Sequence, residues 1–112
     1  VALETGGWNA RINLSSGVVQ YLKAPVLGGA SVAPLADGSV AWGDGDDIFL
    51  HRYDSQGEVL EQRWLRTSGF PSNIQALDLD GDGHQDLIAY NSAGERVDVL
   101  FGPLWQLATV EK

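Results

Sequence analysis

The stretch Asp78-Leu79-Asp80-Gly81-Asp82-Gly83-His84-Gln85-Asp86, followed at once by the apolar run Leu87-Ile88-Ala89-Tyr90, decides how this 112-residue chain is read. It sets carboxylates at positions 1, 3, 5 and 9 of a nine-residue loop, with glycines at 4 and 6. That pattern suits a hard cation. Calcium takes about six to eight oxygen ligands at roughly 2.3–2.6 Å, and its helix-flanked loops draw them from positions 1, 3, 5, 7 and 9 with Gly at 6. The corresponding residues, and hence the expected metal ligands, are Asp78, Asp80, Asp82, His84 and Asp86. Position 7 contributes a backbone carbonyl in that scheme, so the His84 ring need not bind. An EF-hand also requires a bidentate Glu at position 12, where this chain has Ala89 inside a β-like run. The plain alternative is a solvated Asp/Gly turn. Four acids within nine residues repel one another without a counterion, which favours a bound Ca2+.

Outward from this loop the chain reads as strands and tight turns. Fourteen Gly, four Pro and short apolar runs broken by Gly, Asn, Asp and Ser argue against sustained helices. Around the loop, residues 73–77, 86–90, 96–101 and 104–110 read as four strands. A similar order precedes it, with strands at 31–35, 39–42, 47–53 and 58–65 separated by turns at 36–38, 43–46 and 54–57. The first loop of that unit keeps only Asp37, too few oxygens for a metal. Before Gly28 there is room for strands at 1–4, 8–14 and 18–24. The fold class expected is all-β, in antiparallel four-stranded units, about three of them and the first incomplete.

The run Asp-x-Asp-Gly-Asp-Gly-x-x-Asp-Leu at 78–87 resembles the calcium loop of FG-GAP and VCBS-type repeats, the integrin-like β-propeller family, in which it joins the first strand of a blade to the second. The resemblance implies a partial blade over 1–28 with strands two to four, a blade without metal over 29–67, and a blade with the calcium loop over 68–112. A second stretch, Pro34-Leu35-Ala36-Asp37-Gly38-Ser39-Val40-Ala41-Trp42 with 48–53 and Gly57, is similar to repeats of large secreted bacterial adhesins. Together these imply a non-enzymatic, extracellular or cell-surface module for recognition or adhesion, with a glycan or a protein as ligand and Ca2+ as a structural staple. Two other roles are compatible: a building block of a surface assembly or filament, and the accessory part of a secreted enzyme.

Composition narrows the field. Fifteen acids against seven bases give a net charge of -8, which disfavours nucleic acid and anionic membrane surfaces as partners. Without cysteine there is no disulfide, no thiolate nucleophile and no Cys-type zinc site. No apolar run is long enough for a spanning helix, so membrane insertion is not expected. His51 and His84 are too far apart in sequence for the short-spaced pair a zinc site normally uses, and no Gly-x-Ser-x-Gly elbow marks a nucleophile. Asp44, Asp46 and Asp47 read as a hairpin turn rather than a second metal loop. Trp8, Trp42, Trp64 and Trp105 fall in expected strands, where core packing is the first reading and sugar stacking the second; Tyr21, Tyr53, Tyr90 and Phe101 are read the same way. Asn13-Leu14-Ser15 satisfies the glycosylation sequon. An opening Val1 with no Met in the chain is read as a cut end. Incomplete arrays leave blade faces open, so the expected partners are further copies or the rest of a parent chain.

Overall fold

Alternation of apolar and polar side chains, punctuated by Asp and Gly, produces three antiparallel sheets in this computed structural model, which describes residues 2–4, 8–12, 19–23, 31–44, 46–69, 71–91 and 95–110. Strands β1 (Ala2–Glu4), β2 (Trp8–Ile12) and β3 (Val19–Lys23) pair in sequence order. Next come β4 (Val32–Pro34), β5 (Val40–Asp44), β6 (Asp47–Tyr53) and β7 (Val59–Arg66), again each paired with its successor. The last sheet holds β8 (Asn73–Leu77), β9 (Asp86–Asn91) and β10 (Arg96–Leu100). The fold is therefore all-β, with one helical turn among the described residues, α1 (Leu104–Leu107), which precedes a short β11 (Thr109–Val110). The links between the strands expected at 1–4, 8–14 and 18–24, the sequon at 13–15 and the side chains of Trp8 and Tyr21 lie outside what is described.

Turn chemistry sets the hairpins. Asp44 pairs with Asp47, leaving a two-residue link, which is the tightest connection two antiparallel strands use. At the next turn Asp54 Oδ1 accepts from the amides of Gln56 at 2.8 Å and Glu58 at 3.0 Å, and Gly57 takes φ +83. Asp37 does the same for the amide of Ser39 at 2.9 Å. A carboxylate that accepts from its own backbone two residues on is an Asx turn, so these acids are committed to local structure.

Alternation then divides the middle sheet into two faces. One presents Ala33, Ala41, Ile48, Leu50 and Leu65, which pack with Leu35 against Ile74, Leu87 and Ala89 of the last sheet. The other buries Val40 and Trp42, with Val32, Phe49 and Tyr53 against them. On that second face the indole of Trp42 donates to the Tyr53 hydroxyl at 2.8 Å, and His51 Nδ1 lies 3.1 Å from the same oxygen. A buried Trp needs such a partner for its N–H.

The expectation of a fourth strand over 104–110 is corrected. Leu104 and Ala108 are both buried while Gln106 between them is exposed, whereas a strand would set all three on one face; a helical turn buries the first and last and turns Gln106 outward. Beyond that turn the chain crosses to the middle sheet: Thr109 and Val110 pair with Trp64 and Arg63 of β7, giving the order β11-β7-β6-β5-β4. The last sheet keeps three strands, in the order β10-β9-β8.

Candidate metal centre

Loop 78–85 leaves β8 and enters β9, so its two ends are fixed by one hairpin pair, Leu77 opposite Asp86. Two glycines let it curl. Gly81 and Gly83 have φ of +75 and +90, and nothing lies within 4 Å of where a Cβ would stand. Glycine is required there by backbone conformation, not by space.

The curled backbone turns its amides onto the acids. Asp78 accepts from Gly81 at 2.9 Å, from Asp82 at 3.1 Å and, through its other oxygen, from Gly83 at 2.8 Å. Asp80 Oδ1 accepts from the Asp82 amide at 3.3 Å. Asp86 is wholly buried and acts as a tie: Oδ2 accepts from Leu79 at 2.8 Å and from Asp80 at 3.4 Å, while Oδ1 accepts from Gly102 at 2.7 Å. Start of loop, start of β9 and exit of β10 thus converge on one carboxylate. Gly102 passes so close that a Cβ there would sit 2.2 Å from the Gln85 carbonyl oxygen.

Asp78, Asp80 and Asp86 each offer an oxygen within 4.8 Å of the others. Two oxygens on one calcium ion at about 2.4 Å can be no more than about 4.8 Å apart, a condition the three meet, so the group could hold a metal ion. The remaining expected ligands are placed differently. The Asp82 carboxylate stands outside this group and accepts from the His84 amide at 2.9 Å. His84 itself lines a cleft beside the loop. Asp47, from the second acidic stretch, is buried and accepts from Arg66 Nε at 2.8 Å, and the Asp46 carbonyl accepts from Thr67 Oγ1 at 2.7 Å; the Asp44 side chain lies outside what is described.

Electrostatics mark Asp80 as the strained member. The Gly83 amide above all, then those of Gly81 and Asp82 and a hydrogen bond with Asp80, holds Asp78 below the ordinary carboxylate value, against the opposing effect of lost hydration. Asp80 is pushed upward, first by loss of hydration and then by its side-chain interaction and repulsion with Asp82 and repulsion from Asp86, against the lowering effect of the Asp82 amide. A divalent ion between these groups would reverse that repulsion.

Sequence reading does not find Gln85 and Gly102. The Gln85 Oε1 accepts from the Ala36 amide at 2.6 Å, joining the loop to the first turn of the middle sheet. The approach of Gly102 to the loop is a tertiary fact with no local signal. Protein-family models, curated proteins and solved structures give no match to the chain.

Proposed function

We propose that this chain is a non-enzymatic, calcium-stabilised recognition module, part of an integrin-like propeller at the cell surface or outside the cell. The observation that supports it best is the convergence of Asp78, Asp80 and Asp86 between the first and second strands of the last sheet, where the resemblance sets the calcium loop. Three antiparallel sheets following one another along the chain suit successive blades. The ion is a staple in this reading, since the acids are held by loop amides and Asp86 ties three segments together. Extracellular calcium, on the order of a millimolar, fills even weak sites of this kind.

A second reading, a building block that packs on its own kind or on the rest of a parent chain, is favoured by the outer face of the last sheet. There Tyr90 pairs with Val97 and Ile88 with Val99, and Val97 is 59% and Tyr90 43% exposed. No helix among the described residues is long and apolar enough to cross a membrane. Glycan and protein arrays probed in calcium and in chelator test the module reading. Calcium-dependent capture supports it; identical, background signals in both conditions with a monodisperse oligomer support the building block.

A further inference from the structure

Beside the calcium loop lies an open cleft of about 510 Å³, inside the roughly 300–1,000 Å³ range of small-molecule sites. Its walls come from four places: β6 and β7 supply Arg52, Glu61 and Arg63, the metal loop supplies His84 and Gln85, α1 supplies Trp105, and the turn after β4 supplies Asp37. The charges are arranged unevenly. Glu61 accepts from Arg52 Nη1 at 2.9 Å and from Arg63 Nε at 2.8 Å, so two guanidiniums share one carboxylate. One positive charge of the triad is left over; the Asp37 carboxylate that also lines the cleft is engaged by the amide and hydroxyl of Ser39. Each guanidinium carries five N–H donors in a planar fork, and Glu61 engages one nitrogen of each. The guanidinium carbon of Arg52 stands 4.0 Å from the centroid of the Trp105 ring, which fixes its plane before any ligand arrives.

We infer that this cleft binds a carboxylate-bearing sugar. A ligand carboxylate brings the Arg52–Glu61–Arg63 triad to two charges of each sign and meets the fork geometry that arginine offers. Around it, Gln85, whose Oε1 is held by the Ala36 amide, and His84 add polar side chains to the lining, which a hydroxyl-rich ring can engage and a plain organic acid cannot. The inference deepens the recognition reading and rests on it, because His84 and Gln85 are positioned by the metal loop. Calcium orders that wall and removes the negative field of Asp78, Asp80, Asp82 and Asp86 from an incoming anion, so sugar and ion bind with positive coupling.

Nuclear magnetic resonance titration of the isotope-labelled full chain tests this with three probes: methyl glucuronide, methyl glucoside and cyclohexanecarboxylate. Loop amides of Gly81 and Gly83 report calcium; the Trp105 indole and the Gln85 amide report the cleft. In calcium the glucuronide is expected to shift the cleft signals and to bind about tenfold more tightly than either other probe, the scale of a charged hydrogen bond. Arg63→Gln should abolish that preference while the spectrum of the remaining core stays unchanged. Chelator should weaken both sugars, and the glucuronide more. Calcium shifts in the loop with no cleft response, or equal binding of glucuronide and either other probe, overturns the inference and leaves the calcium reading standing. Absence of loop shifts on adding calcium defeats the calcium reading itself.

Discussion

Replacing Asp86 by Ala, with calcium chelated, isolates the carboxylate's role as a tie from its role as a metal ligand. The side chain is wholly buried and accepts two short hydrogen bonds, from Leu79 at 2.8 Å and Gly102 at 2.7 Å, besides the longer one from Asp80. An amide that loses its acceptor in a buried setting costs about 1–3 kcal/mol. Leu79 is half-exposed and Gly102 partly so, which lets water replace part of the loss and places each donor near the lower half of that range. Two donors together give about 3 kcal/mol, a large share of a domain stability of about 5–15 kcal/mol. With a urea slope of about 1.5–3 kcal/mol per molar, the unfolding midpoint should fall by about 1–2 M. Asp86→Asn keeps one oxygen acceptor but turns an N–H toward a second donor, so it should fall between the wild type and the alanine variant. A midpoint that moves by less than about 0.3 M in chelator would refute the tie, since both orphaned amides would then be costing almost nothing.

Asp80 behaves in the opposite sense. Its pKa is raised from 3.8, so its ionised form is disfavoured in the fold; Asp80→Asn should stabilise the chain slightly in chelator and destabilise it in calcium, as read from melting in the two buffers. The same shift sets a pH dependence: the repulsion is present above the folded pKa of Asp80 and relieved as pH falls through it, so as pH is lowered calcium affinity should already be falling before pH 3.8 is reached, because protons compete for Asp80. Asp78 has a lowered pKa, so the stability it contributes persists above 3.8 and is lost only as pH falls through its lower folded value; titration by carboxyl carbon shifts separates the two. Gly102→Ala forces a Cβ to within 2.2 Å of the Gln85 carbonyl oxygen and should cost about 1–3 kcal/mol of stability by overpacking, with calcium affinity reduced because the loop exit moves. The exposed Tyr90, Val97 and Val99 face should drive self-association of the isolated chain in sedimentation, and Val97→Lys should return it toward monomer.

Much of the fold was legible because strands and turns are local. Period-two alternation with Asx turns marks β5, β6 and β7, and the run Asn73–Leu77 ends where its first loop acid begins. The loop acids were legible for the same reason, since oxygen ligands at odd positions with glycine at 4 and 6 describe one curled segment. Strand partnership is different. Residues 104–110 carry apolar side chains that suit either a strand on β10 or a helical turn, and only the depth of the core beneath Leu104 and Ala108, with a vacant edge on β7, chooses. Trp105 shows the same limit. Read as a core aromatic, it is half-buried beside Arg52, a contact between distant segments that neither residue announces. Within the loop, spacing names five ligands, while the backbone curl brings three carboxylates together and engages the Asp82 side chain with the His84 amide.

The central claim is that the loop between β8 and β9 holds one calcium ion that stabilises the fold, and thermal unfolding in calcium against chelator tests it most directly. A ligand at 100 times its dissociation constant that binds only the folded state adds about 2.7 kcal/mol, which for a domain of this size is a rise in melting temperature on the order of 10 °C. The account predicts that rise with about one ion bound per chain, and its loss in Asp78→Asn combined with Asp80→Asn. Superimposable melting curves in millimolar calcium and in excess chelator would contradict it.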